Sequence, residues 1–431
     1  VLTPYPFQQE AIDRIAHAPG FILSDACGLG KTLTVIEAVK KTRPSGFKAL
    51  VVVPPSLLLQ WSETLLFQDD RAIQSLQGRP YDFSDWSGWA LTTQYELQYD
   101  YVQKALQNVL WDFIIVDEAH RMKNPKTGFF SVMKNLPKVR GISLTATPME
   151  TGEENLWALL HFADPDMFPA YWGFVMKNLI VEKGYYQQFI IKGPKNPSAF
   201  AEMIEPYFLR RTKEDVLPQL PEKIVIDVPI AMTEKQQRVY DRFRTSKDIL
   251  VELDGNEFII ENALTMLTRL QQIASDPTLI GIEGTGSGKL DWLDDFITDH
   301  PGEPTVIFSR FKDWLPPLCQ KYKGVLVAGI QDSSEYFKAG QVDYLFGTID
   351  KMGEGLNLQR AKHAIFLDGH WSATKMTQAI DRVHRMNIKE SKNIYFLKSC
   401  REDAAIYTAV DKKWTEHEFL YYYLREAQND F

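Results

Sequence analysis

A chain of 431 residues, 45% hydrophobic and 24% charged, is long enough to bury two substantial cores, since domains run to roughly 100–200 residues. Its formal net charge of −8 argues against a protein that holds nucleic acid by bulk positive charge, although local basic groups and loop amides can still grip a phosphate backbone. No stretch approaches the ~20 apolar residues of a membrane span, the opening Val1–Phe7 lacks a leader pattern, and Cys27, Cys319 and Cys400 are too scattered for a zinc site or a disulfide framework. An intracellular, reducing setting (cytoplasm, nucleoid or nucleus), with no membrane and no structural zinc, is expected.

In chain order, the first half alternates short β-branched runs with helical stretches. Phe21–Leu23, Ala49–Val53, Phe113–Val116 and Ile142–Leu144 are continuous apolar runs of the kind buried on both faces of a parallel sheet. The second half repeats the pattern at Thr305–Phe308, Val325–Val327, Tyr344–Phe346 and Ala364–Leu367. Two α/β lobes with doubly wound parallel sheets follow. Leu217–Lys223, with two prolines and a charged flank, is the expected linker. The lobes are assigned to residues 1–216 and 217–431, with a helical insertion at 150–210 and a second insertion at 239–287. Within the latter, Ile249–Ile260 reads as a β-hairpin, because Asp254-Gly255 between β-prone runs is a strong turn signal.

The chemistry begins where the first strand ends, at Ser24–Thr32. A phosphate needs closely approaching amides, which Gly28 and Gly30 permit on either side of Leu29. It also needs a cation, supplied by Lys31, and a hydroxyl from Thr32 to help hold magnesium. This reads as a triphosphate cradle, with Asp25 standing where the strict pattern has its first glycine; taken alone, the run is also compatible with a glycine-rich turn. The complement is Asp117-Glu118 after the apolar run Ile114–Val116. Asp117 is placed to hold Mg2+, and Glu118 to orient and deprotonate the attacking water. A lone Asp-Glu is commonly a solvated loop; the shared lobe makes the two motifs one ATP-hydrolysing site.

With these motifs in order, the chain resembles a superfamily-two helicase of the DEAH type (Asp117-Glu118-Ala119-His120), and within it the Swi/Snf-type motors, over nearly its full length. The resemblance implies two RecA-like lobes with ATP in the cleft between them. It makes Phe7-Gln8 similar to the adenine-reading motif. It makes Val53–Trp61, with Pro54 and Ser56, and Leu91–Tyr95, with Thr92 and Thr93, similar to segments that touch the nucleic-acid backbone. Leu144–Pro148 resembles the motif coupling nucleotide to nucleic acid, while Asn155–Leu160 and Leu209–Leu217 favour the Swi/Snf branch. In the second lobe, Gln378–Arg385 reads as a helix whose i and i+3 arginines share a face, and the family sets two such arginines, here Arg382 and Arg385, against the triphosphate. Gly353–Leu358 resembles the loop that brings Gly355 near the nucleotide, with Met352 and Glu354 as departures; Met386-Asn387 replaces the usual Gly-Gln. Ser309, Thr348 and Trp371 complete the implied nucleic-acid contacts. Trp61 and Trp371 are candidates for stacking on bases or for core. His120 is expected to bridge toward Gln8 or the coupling motif.

The function so implied is a monomeric DNA-dependent ATPase, a helicase or translocase that remodels or unwinds branched or forked DNA in replication, recombination or repair, branch migration included, and binds duplex. A chromatin-type remodeller without strand separation and a nucleotide-switched nucleic-acid clamp are the alternatives. The hairpin at Ile249–Ile260 is either a strand-parting projection or a packed ribbon.

Overall fold

The computed structural model describes the chain except residues 1, 72, 76–82, 84–85, 149–151, 184–188, 218–219, 246–249, 254–255, 260–262, 328–332, 354–355, 387 and 412–431. It divides into two units, Val1–Pro218 and Gln219–Phe431.

The strands of the first unit are β1 (Phe21–Leu23), β2 (Lys48–Val53), β3 (Ile73–Ser75), β4 (Gly88–Thr93), β5 (Trp111–Asp117) and β6 (Lys138–Leu144), then β7 (Leu179–Lys183) and β8 (Phe189–Pro194), and β9 (Phe208–Leu209). Seven of them form a parallel sheet in the order β3-β4-β2-β5-β6-β1-β9. Side chains alternate across a strand, and here both directions lead into core. Leu50, Val52, Ile114 and Val116 enter one apolar cluster with Met133, Leu156 and Phe162. Their neighbours Val51, Val53, Phe113 and Ile115 enter another, with Ile12, Val35, Val39 and Trp61. That two-sided burial is why these strands read as unbroken apolar runs.

The stretch expected as a helical insertion is anchored in this core at both ends. Every residue of the helix Leu156–Ala163 is buried, as an all-round apolar sequence requires. It lies so close to the sheet that a Cβ on Gly20 would sit 2.1 Å from the Ala163 carbonyl oxygen, and one on Gly141 2.2 Å from that of Phe162. The far end returns as β9 and pairs with β1. Between them β7 and β8 form an antiparallel hairpin.

In the second unit, β10 (Lys223–Pro229), β11 (Leu250–Leu253), β12 (Asn256–Ile259), β13 (Thr305–Ser309), β14 (Val325–Val327), β15 (Tyr344–Thr348), β16 (His363–Phe366) and β17 (Lys392–Lys398) follow. The parallel sheet runs β10-β17-β16-β13-β15-β14. Again the core is two-sided, with Val306, Phe308, Ala364 and Phe366 on one face and Ile307 and Ile365 on the other. The end of the expected linker is thus an edge strand, beginning at Lys223. β11 and β12 pair antiparallel with Leu253 opposite Asn256, as expected for the hairpin, while Asp254 and Gly255 lie outside the described residues. Among the described residues no helix is long and apolar enough to cross a membrane.

Candidate active site

The carboxyl ends of β1, β5 and β6 carry the first three motifs. After β1 the chain turns through Gly28 (φ 85°) and Gly30 (φ 74°), left-handed backbone that glycine adopts without steric cost. It then enters the helix Lys31–Thr42, whose N-cap offers no side-chain acceptor. The first-turn amides have no intrahelical acceptor either, so an uncapped helix start with glycines before it and a lysine at its first position fits a phosphate chain. Lys31 Nζ donates to the Asp25 carbonyl oxygen at 2.8 Å. Gln8, fully buried, sits against the loop: its Nε2 donates to Leu29 O at 3.0 Å and its Oε1 accepts from Tyr5 N at 2.9 Å. The glutamine expected to read adenine therefore also holds the cradle's backbone.

Asp25 is not a phosphate contact. Its carboxylate is 1% exposed and is gripped by Arg211, which donates through Nε to Oδ1 at 3.1 Å and through Nη2 to Oδ2 at 2.6 Å. The guanidinium lies 5.2 Å from the centroid of the Phe7 ring. Main-chain bonds flank the pair, from Ser24 N to Leu209 O at 2.7 Å and from Ala26 N to Arg211 O at 2.9 Å. The Leu209–Leu217 segment thus forms one wall of the loop, and sequence reading missed this because the partners lie far apart in the chain.

On β5, Asp117 accepts from Trp61 Nε1 at 2.8 Å through Oδ2 and from Glu118 N at 2.8 Å through Oδ1. Burial pushes its carboxyl above the ordinary value, and the charge of Glu118 adds to this; the Trp61 hydrogen bond and the charge of Lys31 work the other way. The cradle lysine and the acidic strand end thus share one electrostatic site. Glu118 has a left-handed backbone (φ 49°), strained for a residue with a Cβ and of the sort found at active sites. His120 turns back on its own motif, with Nδ1 3.2 Å from Glu118 Oε2. Thr145 accepts the Thr147 amide on its Oγ1 at 3.1 Å and donates its own amide to Leu23 O at 3.2 Å, which ties the Leu144–Pro148 motif to β1. Thr32 and Asp117 each offer oxygen atoms of the kind that Mg2+ takes.

In the second unit Arg382 is buried and donates through Nε to Gly353 O at 2.8 Å, the residue before Glu354 and Gly355, which are outside the described residues. The shared-face expectation for the two arginines needs correction: the helix Ala373–Val383 ends before Arg385. His384 leaves helical backbone (φ −102°, ψ 89°) and its Nε2 lies 2.7 Å from Pro221 O. Arg385 is half-buried on the segment beyond.

The residues expected against nucleic acid differ in exposure. Ser56 is exposed and Thr348 intermediate, with Thr348 Oγ1 capping its helix by accepting from Lys351 N at 3.3 Å. Pro54, Thr92, Thr93 and Ser309 are buried at strand ends, and Ser309 donates to Asp368 Oδ2 at 2.6 Å. Trp61 is core. Trp371 is 6% exposed and covered by Arg310, whose guanidinium carbon is 4.8 Å from its ring centroid.

Comparison with known families finds three overlapping or successive matches: the type III restriction enzyme res subunit over residues 1–150, the SNF2-related domain over 84–279, and the helicase conserved C-terminal domain over 288–387. Protein CHROMATIN REMODELING 5 of Arabidopsis thaliana is 27% identical over 87% of this chain and 24% of its own length. The putative ATP-dependent helicase/translocase YwqA of Bacillus subtilis is 28% identical over 85% of this chain and 42% of its own. The chain therefore spans less than half the length of these curated relatives. Among solved structures, the Sulfolobus solfataricus SWI2/SNF2 ATPase core in complex with dsDNA is 25% identical, covering 92% of this chain and 90% of that one, with a TM-score of 0.48. The family matches fall in the order of the phosphate cradle, the acidic strand end and the arginine segment: the chain carries matches to the SNF2-related domain and to the helicase conserved C-terminal domain, and it is similar to Swi/Snf-type ATP-dependent helicases.

Proposed function

We propose that the chain is a DNA-dependent ATPase motor that remodels or unwinds branched or forked DNA in replication, recombination or repair. The observation that carries the ATPase reading is the convergence of Lys31 and the uncapped helix start with Asp117 and Glu118 at the carboxyl edge of one sheet. Lys31 and the amides from Gly28 onward would hold the phosphates, and Thr32 with Asp117 would hold Mg2+. When bound, Mg2+ neutralises phosphate charge. Glu118 would deprotonate the attacking water, and Arg382 and Arg385 of the second unit would stabilise the charge developing on the transferred phosphoryl group. Gln8 and Gly355 would border the nucleotide.

DNA as the track is supported by the matches to the SNF2-related and helicase C-terminal domains, and Ser56 is the exposed candidate for a backbone contact. The other implied contacts would act through the strand ends that they fix. The test is ATP turnover with single-stranded, duplex, forked and four-way DNA and with RNA. Many-fold stimulation by DNA, strongest with forks or junctions, and little by RNA is the expected result; equal stimulation by RNA overturns it. The name of the Arabidopsis relative favours one second reading, a chromatin-type remodeller, for which nucleosomes alone would stimulate.

A further inference from the structure

The carboxylate of Asp25 is a hazard to the site that contains it. It lies in the loop that is to receive a polyanion, it is shielded from water, and Lys31 Nζ is already hydrogen-bonded to the main-chain oxygen of the same residue. A buried carboxylate without a partner is costly unless it acquires a cation, and the loop itself supplies one in Lys31, already bonded to the main chain of the same residue. Arg211 prevents this by occupying both carboxylate oxygens. Its own position is over-determined: the Phe7 ring lies beside the guanidinium, Nη1 donates to Phe7 O, and its main-chain oxygen accepts from Ala26 N.

Arg is suited to the task, because its planar fork meets a carboxylate with two parallel bonds and stays charged. Phe7 also adjoins Gln8, which carries the other side of the loop. We infer that Arg211 is a positioning residue for the nucleotide site, which holds the Asp25 carboxylate away from Lys31 so that the lysine's charge is not neutralised before the phosphates arrive. The inference rests on the ATP reading.

Binding of a fluorescent ATP analogue, followed by titration with a thermal melt on each preparation, tests it through a double-mutant cycle. Arg211→Ala should weaken binding by about 10–100-fold, the scale of losing a hydrogen bond to a charged group when Lys31 is diverted from the phosphates. In the Asp25→Asn background the same removal should cost no more than about 3-fold, since no carboxylate remains to capture the lysine. Arg211→Gln replaces Arg211→Ala in the cycle if the alanine variant does not fold. Equal losses in both backgrounds, or wild-type affinity for the single variant, overturn the inference while leaving ATP binding intact. A wild-type protein that fails to bind the analogue overturns the ATP reading itself.

Discussion

Trp61 Nε1 donates to Asp117 Oδ2 at 2.8 Å, joining the helix Leu58–Gln68 to the acidic end of β5. With Glu118 N on the other oxygen, the bond fixes the plane of a carboxylate that burial would otherwise discourage from ionising. Trp61→Phe keeps most of the apolar packing and removes the donor. A hydrogen bond to a charged group contributes about 1.5–3 kcal/mol, so turnover at limiting Mg2+ should fall by about 10–100-fold. Raising Mg2+ should recover part of the loss. The check is an ATPase titration in Mg2+ alongside direct nucleotide binding; an unchanged Mg2+ requirement would show that Trp61 only fills space.

Glu118→Gln is expected to retain nucleotide binding and to lose about 10²–10⁴-fold in turnover, the range for removing a general base. Arg385→Ala should lose turnover with little change in affinity, because charge stabilised only in the transition state lowers kcat rather than binding. Single-turnover hydrolysis beside equilibrium binding separates the two effects. Wild-type-like turnover in both variants would falsify the assignment.

Acid stability of the second unit should depend on His370. Burial first, then the charge of Lys375, lowers its pKa from 6.5 to about 4, with Asp350 opposing. The fold therefore binds fewer protons than the unfolded chain between these values, and the stability gained from a neutral His370 is lost as pH falls from 6.5 toward 4. At about pH 5 the loss amounts to about 2 kcal/mol, or about 4–8 °C in Tm for a unit of roughly 200 residues. Asp368 works in the opposite sense, because burial raises its carboxyl from 3.8 to about 6, so the fold gains protons there as pH falls. His370→Gln should thus flatten or reverse the decline in Tm between neutral pH and pH 5 in thermal melts; an unchanged slope would remove His370 from the account.

The β11–β12 hairpin lies outside every nucleotide motif. Shortening it should leave DNA-stimulated ATPase largely intact and reduce unwinding of forks and four-way junctions, both measured on one preparation. A parallel fall in both activities, with Tm several degrees lower, would mark the hairpin as packing.

Much of the fold was legible because two-sided burial writes strands as unbroken apolar runs, Ala49–Val53 and Thr305–Phe308 among them. Edge strands leave a weaker trace. β10 is mostly exposed along Lys223–Pro229, and its first residue resembled a linker; β9 has only two residues. The cradle and acidic pair were legible since their chemistry fixes residue types at short spacing. Their supports were not. Nothing local in Asp25 announces Arg211, an indole in an amphipathic helix looks like any core tryptophan, and the end of the arginine helix coincides with a tertiary contact between His384 and Pro221.

The pairing of β9 with β1 also orders events during synthesis. Until Phe208 and Leu209 leave the ribosome, the strand that leads into the cradle has β6 on one side and an open row of amide and carbonyl groups on the other, the kind of edge on which chains associate wrongly. At about 5–20 residues per second, β9 emerges roughly 10–40 seconds after β1. The nascent nucleotide unit thus depends on a segment made last, and a chain stalled near residue 150 would display an unprotected sheet margin and an Asp25 without its arginine.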